Sequence, residues 1–256
     1  MHAMNANNAK LPARHARGFT LVELLIALLI GLFLLGALLT IVQSNRRVFS
    51  QQNELAQLQD NERMAMTMMT DVIQSAGYFP DPTTNTLATA LIPAAPFAIG
   101  QSISGTFSAA APGDQIQVRY MTAGGDGILN CSGQSNPPGG ANTLYVNTFQ
   151  VVNGQLVCTM NGTPYTLVGG TVGSNLNITN LSILYGVKAN AGATGNNVDT
   201  YMNAAQVNAA GMWSNIISVM VQLTFNNPLN AANQGQPQTF TFQRVIGVMS
   251  QTGPTL

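Results

Sequence analysis

Residues 19–42 (FTLVELLIALLIGLFLLGALLTIV) form an almost unbroken apolar run in which Glu23 is the only charge. As a helix the run spans roughly 36 Å, enough to cross the hydrocarbon core of a bilayer. Residues 43–76 contain neither proline nor glycine and are dominated by Gln, Glu, Leu, Met and Ala, so the helix is predicted to continue. Leu55, Leu58, Ala65, Met69, Val72 and Ala76 recur at spacings of three, four and seven, interrupted once by Glu62. That stripe belongs to an amphipathic helix with one side packed against a domain. Gly77-Tyr78-Phe79-Pro80 then ends it with a permissive residue and a proline.

Beyond the helix the period changes. Residues 77–113 read as loop, punctuated by Pro80, Pro82, Pro93, Pro96 and Pro112. Residues 115–121 (QIQVRYM) alternate, which places Ile116, Val118 and Tyr120 on one face of a strand. Segments 143–152 and 155–160 flank Asn153-Gly154, a strong signal for a tight hairpin. Segments 176–187, 214–226 and 238–248 supply three more strands. Within them, residues 216–223 (IISVMVQL) are nearly continuous in apolar character, as suits a central strand of an antiparallel sheet. The predicted class is α+β: a long N-terminal helix packed on an antiparallel β-rich head.

Only 7% of residues are charged, with nine of each sign. Lys10, Arg14 and Arg17 precede Gly18, so the remainder of the chain carries six basic residues (9 − 3) against nine acidic ones. A mildly acidic chain has no basic surface with which to displace counterions from phosphates, which argues against nucleic acid. Segment 1–18 is polar and basic, and the small residue Gly18 precedes the apolar run instead of coming after it, the reverse of a secretory signal. Cleavage at Gly18 would therefore remove a basic leader and leave the membrane helix on the mature protein.

Arg17-Gly18-Phe19-Thr20-Leu21-Val22-Glu23 resembles the processing site of type IV pilins and of type II secretion pseudopilins. The resemblance implies that a prepilin peptidase cuts after Gly18 and that the new N-terminal Phe19 is methylated. It also implies that Glu23 pairs with the terminal amine of a neighbouring subunit. An ionised carboxylate within hydrocarbon costs at least ~2.5–3.5 kcal/mol, so a partner there has a physical reason. A lone acid snorkelling at the membrane edge is the alternative. Orientation also rests on the resemblance, since the basic residues flanking the span (three before it, then Arg46 and Arg47) are nearly even in number. The protein is expected in the inner membrane as a single-pass chain with a cytoplasmic N-terminus, and then in a fibre that runs from periplasm to exterior.

Further stretches are similar to the minor pilins of the PilW type: residues 69–79 (MTDVIQSAGYF), then Leu184-Tyr185-Gly186-Val187, Val198-Asp199-Thr200-Tyr201 and Trp213-Ser214-Asn215-Ile216. Met220 and the ending Arg244-Val245-Ile246-Gly247-Val248-Met249 depart from that pattern. The implied partners are other minor and major pilins, the prepilin peptidase and a tip adhesin, with a role in priming pilus assembly. Retention of Glu23 implies a subunit that stacks beneath another rather than the cap. One rival is a J-type pseudopilin of type II secretion. A rival of another class is an uncleaved, membrane-tethered periplasmic receptor or enzyme. A DNA-uptake pilin is disfavoured by the lack of a basic patch.

Cys131 and Cys158 both lie in the part that would be exported, where an even count reads as one disulfide worth about 3.5 kcal/mol. Two separately buried thiols are the alternative, and the positions also fit the cysteine pair of the resembled group. Both histidines, His2 and His15, lie in the leader, so the mature chain would have no imidazole for acid–base or triad chemistry. Lys188 is then the last lysine, with nothing around it to activate an amine, and no glycine-rich loop carries a Walker lysine. Neither an enzymatic activity, a cofactor nor a small-molecule substrate is expected. Gly124-Gly125-Asp126-Gly127 reads as a turn sooner than a calcium loop, and Trp213 as a core residue sooner than a binding aromatic. The four methionines 64, 66, 68 and 69 read as adaptable core filler.

Overall fold

A computed structural model describes residues 18–190, 195, 197–232 and 235–252. The expected leader, Gly18 apart, lies outside the described residues. The chain divides into two compact units, 1–50 and 51–256. In the first, helix α1 (Leu21–Gln74) begins, and every residue from 18 to 50 is exposed, the apolar ones included. Among the described residues α1 is the one helix long and apolar enough to cross a membrane. A helix apolar on all sides and buried by nothing requires lipid or other helices around it.

The second unit takes the rest of α1 into a core. Leu58, Ala65, Met69, Val72 and Ala76 of the predicted stripe are buried and Leu55 packs at its margin, joined by Met66 and Ile73. The methionines split: Met66 and Met69 fill the core, Met68 is half-buried and Met64 is exposed. Gly77 ends the helix in the left-handed region (φ 77°), and a Cβ there would meet Ser250 Oγ at 2.6 Å. Both conformation and space therefore call for glycine. Ser250 Oγ, on the short helix α4 (Met249–Thr252), donates to Ala76 O at 2.7 Å and satisfies a helix-end carbonyl.

Two antiparallel sheets make the head. The first is a meander of β1 (Ile103–Thr106), β2 (Gln115–Thr122), β3 (Thr143–Val152), β4 (Gln155–Met160) and β5 (Thr163–Gly169), in that order. The second comprises β6 (Ile178–Val187), β7 (Thr200–Met202), β8 (Ile216–Asn226) and β9 (Thr239–Gly247), ordered β7-β6-β8-β9. The predicted central strand is β8, held between β6 and β9. The hairpin between β3 and β4 turns at Asn153 (φ 50°) and Gly154 (φ 81°), the two consecutive positive values that a tight primed turn requires. Strands β1, β5 and β7, with helices α2 (Leu87–Ala90) and α3 (Ala204–Ala210), lie where the pattern predicted loop or nothing. They are short or start at exposed positions, so hydrophobic periodicity had little to register.

Asp114 links the sheets. Its backbone N–H donates to Leu181 O at 2.7 Å, and its carboxylate accepts from Ser108 N and Ile183 N, both at 2.8 Å. A buried carboxylate is tolerable there because backbone donors replace its water.

Candidate functional site

The first turn of α1 holds the residues singled out by the sequence. Thr20 caps the helix: its carbonyl accepts from Leu24 N at 3.2 Å and its Oγ1 accepts from Glu23 N at 3.3 Å. Threonine at the cap with glutamate three residues on is the sequence form of a capping box. Glu23 therefore sits in the first turn, where the positive end of the helix dipole favours an acid. Gly18 is exposed and Phe19 is 83% exposed, so the junction between them is open to a protease. The arrangement places a carboxylate one helical turn behind the position that would become the new terminus. Within the apolar stretch 19–42 it is the single anionic point with which a cation can set register.

In the head the structure joins Cys131 to Cys158. The bond ties the loop between β2 and β3 to β4, and Cys131 N donates to the buried Asn147 Oδ1 at 3.0 Å. Removing both sulfurs (Cys131→Ser with Cys158→Ser) should lower stability by about 3.5 kcal/mol on the loop-entropy argument. Urea unfolding of oxidised wild type against the double variant measures it, and an unchanged midpoint would show that the loop is held without the bond. Asp126 is a turn residue: its two carboxylate oxygens accept from Ala123 N at 2.8 Å and Ile128 N at 3.1 Å. Trp213 packs edge-on against Tyr185, ring centroids 5.2 Å apart, as a residue of the core margin.

Sequence reasoning missed Arg119. It lies on the β2 face opposite Ile116, Val118 and Tyr120, where alternation predicts solvent, yet it is 0% exposed. The loop after α2 folds over that face and presents carbonyls to the guanidinium. Nε donates to Gln101 O at 2.6 Å, Nη1 to Ile92 O at 2.6 Å, and Nη2 to Ala98 O at 2.8 Å and Leu91 O at 3.2 Å. Phe97 lies beneath it, the ring centroid 4.6 Å from Cζ. Burial lowers the pKa of the guanidinium from its ordinary value. Arg119 thus closes a segment whose backbone has few strand or helix partners of its own. The one available signal was an arginine in mid-strand in a chain so poor in charge, and it did not say which loop would cover it. Tyr120 and Tyr185 are also buried, which raises both hydroxyl pKa values from their ordinary value and keeps the phenols neutral.

Comparison with known proteins adds to this geometry. Residues 13–39 match the model of the prokaryotic N-terminal methylation motif, and residues 134–253 match that of the type IV pilus-assembly protein W family. No curated protein matches significantly. Among solved structures, a type IV-like pilin from Thermus thermophilus is 11% identical with a TM-score of 0.41, covering 77% of this chain and 99% of its own. A chain from a binary complex of two pseudopilins of the type 2 secretion system of Vibrio vulnificus is 13% identical with a TM-score of 0.34. It covers 80% of this chain and 94% of its own. The apolar helix and the methylation motif fit a membrane-anchored pilin. The methylation motif at one end and the W-type match across residues 134–253 of the head together support a PilW-type minor pilin of type IV pilus assembly.

Proposed function

We propose that this minor pilin is made as a prepilin cut after Gly18, which leaves Phe19 as an N-methylated first residue. Residues 19–42 then hold it in the inner membrane, N-terminus towards the cytoplasm, and later in the fibre. Residues 43–76 lead into the head, 77–256. In the fibre Glu23 accepts the terminal amine of a neighbouring subunit, which neutralises two charges that neither lipid nor a helix bundle would solvate. With other minor pilins and the major pilin it primes assembly in a tip complex that supports an adhesin. Membership of a pilin family points to a structural part rather than a catalyst.

The observation that carries the reading is the exposed first turn of α1, where an acid lies just behind Phe19 on a stretch of helix that is exposed throughout residues 18–50. The test is a clean deletion complemented with wild type or with Gly18→Val, scored for sheared surface pili, secreted enzyme activity and the intact mass of the protein. Wild type should restore pili; Gly18→Val should fail to restore them and retain residues 1–18. Normal pili with a secretion defect would transfer the protein to the type II machine. Wild-type protein of full uncut mass, with neither defect in the deletion, would favour a tethered receptor.

A further inference from the structure

Each sheet has two outer strands, and three of the four are poor templates for another chain. β1 has 4 residues and β7 has 3. β5 carries Pro164, and its pairing with β4 is broken by a register shift at Leu156/Val157. These are the ordinary ways in which edges are kept from pairing. β9 differs: 9 residues (TFTFQRVIG), no proline, no lysine, and an unbroken register against β8 from Ser218↔Gly247 to Asn226↔Thr239.

The hydrogen-bond phase shows which groups β9 leaves open. At one end Val248 N donates to Ile217 O, and at the other Asn227 N donates to Gln238 O, both at 2.9 Å. Both pairs continue the β8–β9 register, so the even-numbered residues are the ones bonded to β8. The N–H and C=O groups of Thr239, Thr241, Gln243, Val245 and Gly247 therefore point away from β8, along a side that has no strand partner among the described residues.

Side chains add a chemical preference. Phe240, Phe242, Arg244 and Ile246 share the inner face of β9, opposite the buried Phe225, Leu223, Val221 and Val219 of β8. Arg244 is half-buried between apolar neighbours, and the ion pair found among the described residues is Asp60–Arg63, elsewhere. A cation on an apolar inner face discourages indiscriminate pairing. It also selects, because a strand laid beside β9 sets a side chain directly opposite Arg244, and a carboxylate there meets it while a lysine is repelled.

We propose that the open edge of β9 takes an extended segment of another pilus subunit as a fifth strand of its sheet. That segment reads apolar–x–acidic–x–apolar, with the acid opposite Arg244 and the apolar residues beside Phe242 and Ile246. The choice of a pilus subunit as donor rests on the assembly role above. The binding test reads the edge alone, so the two can fail separately.

The test titrates fluorescein-labelled peptides onto the full chain in detergent micelles. One peptide is Thr-Val-Thr-Val-Thr-Asp-Thr-Val-Thr; a second has Lys for Asp; a third is the Asp peptide with N-methyl groups on the amides that would face β9. The Asp peptide should bind at least about tenfold more tightly than the Lys peptide, the order should reverse on Arg244→Glu, and N-methylation should abolish binding. Val245→Pro removes an outward N–H that β8 does not use, and should cost the same binding while urea unfolding stays unchanged. Equal binding of Asp and Lys peptides, indifference to N-methylation, or no binding at all would overturn the proposal. So would self-association of the wild type that Val245→Pro abolishes, which would assign the edge to a second copy of the chain.

Discussion

Replacing Arg119 with methionine should lower the unfolding free energy of the head by about 2–4 kcal/mol. Methionine can follow the aliphatic stem of arginine but donates nothing. The carbonyls of Ile92 and Gln101 would lose their donor, while Leu91 O keeps Gly100 N and Ala98 O keeps Gln101 N as partners. The backbone of the same residue is also engaged. Arg119 N donates to Ser102 O at 2.9 Å, and Gly77 N donates to Arg119 O at 3.1 Å, so the covering loop, β2 and the exit of α1 meet at one residue. Lysine keeps the charge but not the planar fork that reaches several carbonyls at once, and Arg119→Lys should recover less than half of the loss. Urea unfolding followed by the fluorescence of Trp213, the single tryptophan, reads the head directly because that ring packs on the buried Tyr185. A methionine variant within about 1 kcal/mol of wild type would show that the loop carbonyls find water or other donors.

Glu23→Ala should reduce surface pili by more than about tenfold while leaving membrane insertion and leader removal intact. Taking a carboxylate out of an apolar span makes insertion easier, so a defect in pili cannot be attributed to failed insertion. Removing one partner of a buried ion pair leaves the other charge without compensation at a cost of about 3–5 kcal/mol, which at a subunit junction is enough to lose docking. The helix itself changes little, because the cap bond at Thr20 uses the backbone N–H of residue 23, which alanine retains. Pulse-labelled processing and counts of sheared pili, measured on the same cells, distinguish the two steps. Full piliation with the alanine variant would return Glu23 to the role of an acid in a capping box at the membrane edge.

Where the chain carries a long or regular pattern, its elements are directly legible. α1 is legible because its apolar run and its stripe extend over many turns, and β3, β4 and β8 because their alternation or apolar continuity is bounded by turn residues. The hairpin at Asn153-Gly154 is legible because a primed turn has a narrow residue requirement. β1 and β7 are not, since 4 and 3 residues give no period to count. Alternation along β2 points Arg119 outward for a sound local reason, and a distant loop reverses it. Asp114 carries no motif at all; its role as a link appears only once β2 and β6 lie side by side.

What the sequence determined by itself is the order of residue types in the N-terminal segment and, through it and the head, the likeness to a pilin family. A basic stretch, a Gly-Phe junction, an acid and an apolar run are read from residue type and linear order, and need no distant partner to be recognised. The tertiary structure decided what depends on contacts between segments far apart in the chain: the division of the strands into two sheets, the burial of Arg119 under a covering loop, and the open edge left along β9. Such properties arise from which surfaces meet in three dimensions, and no local pattern of apolar and polar residues encodes them.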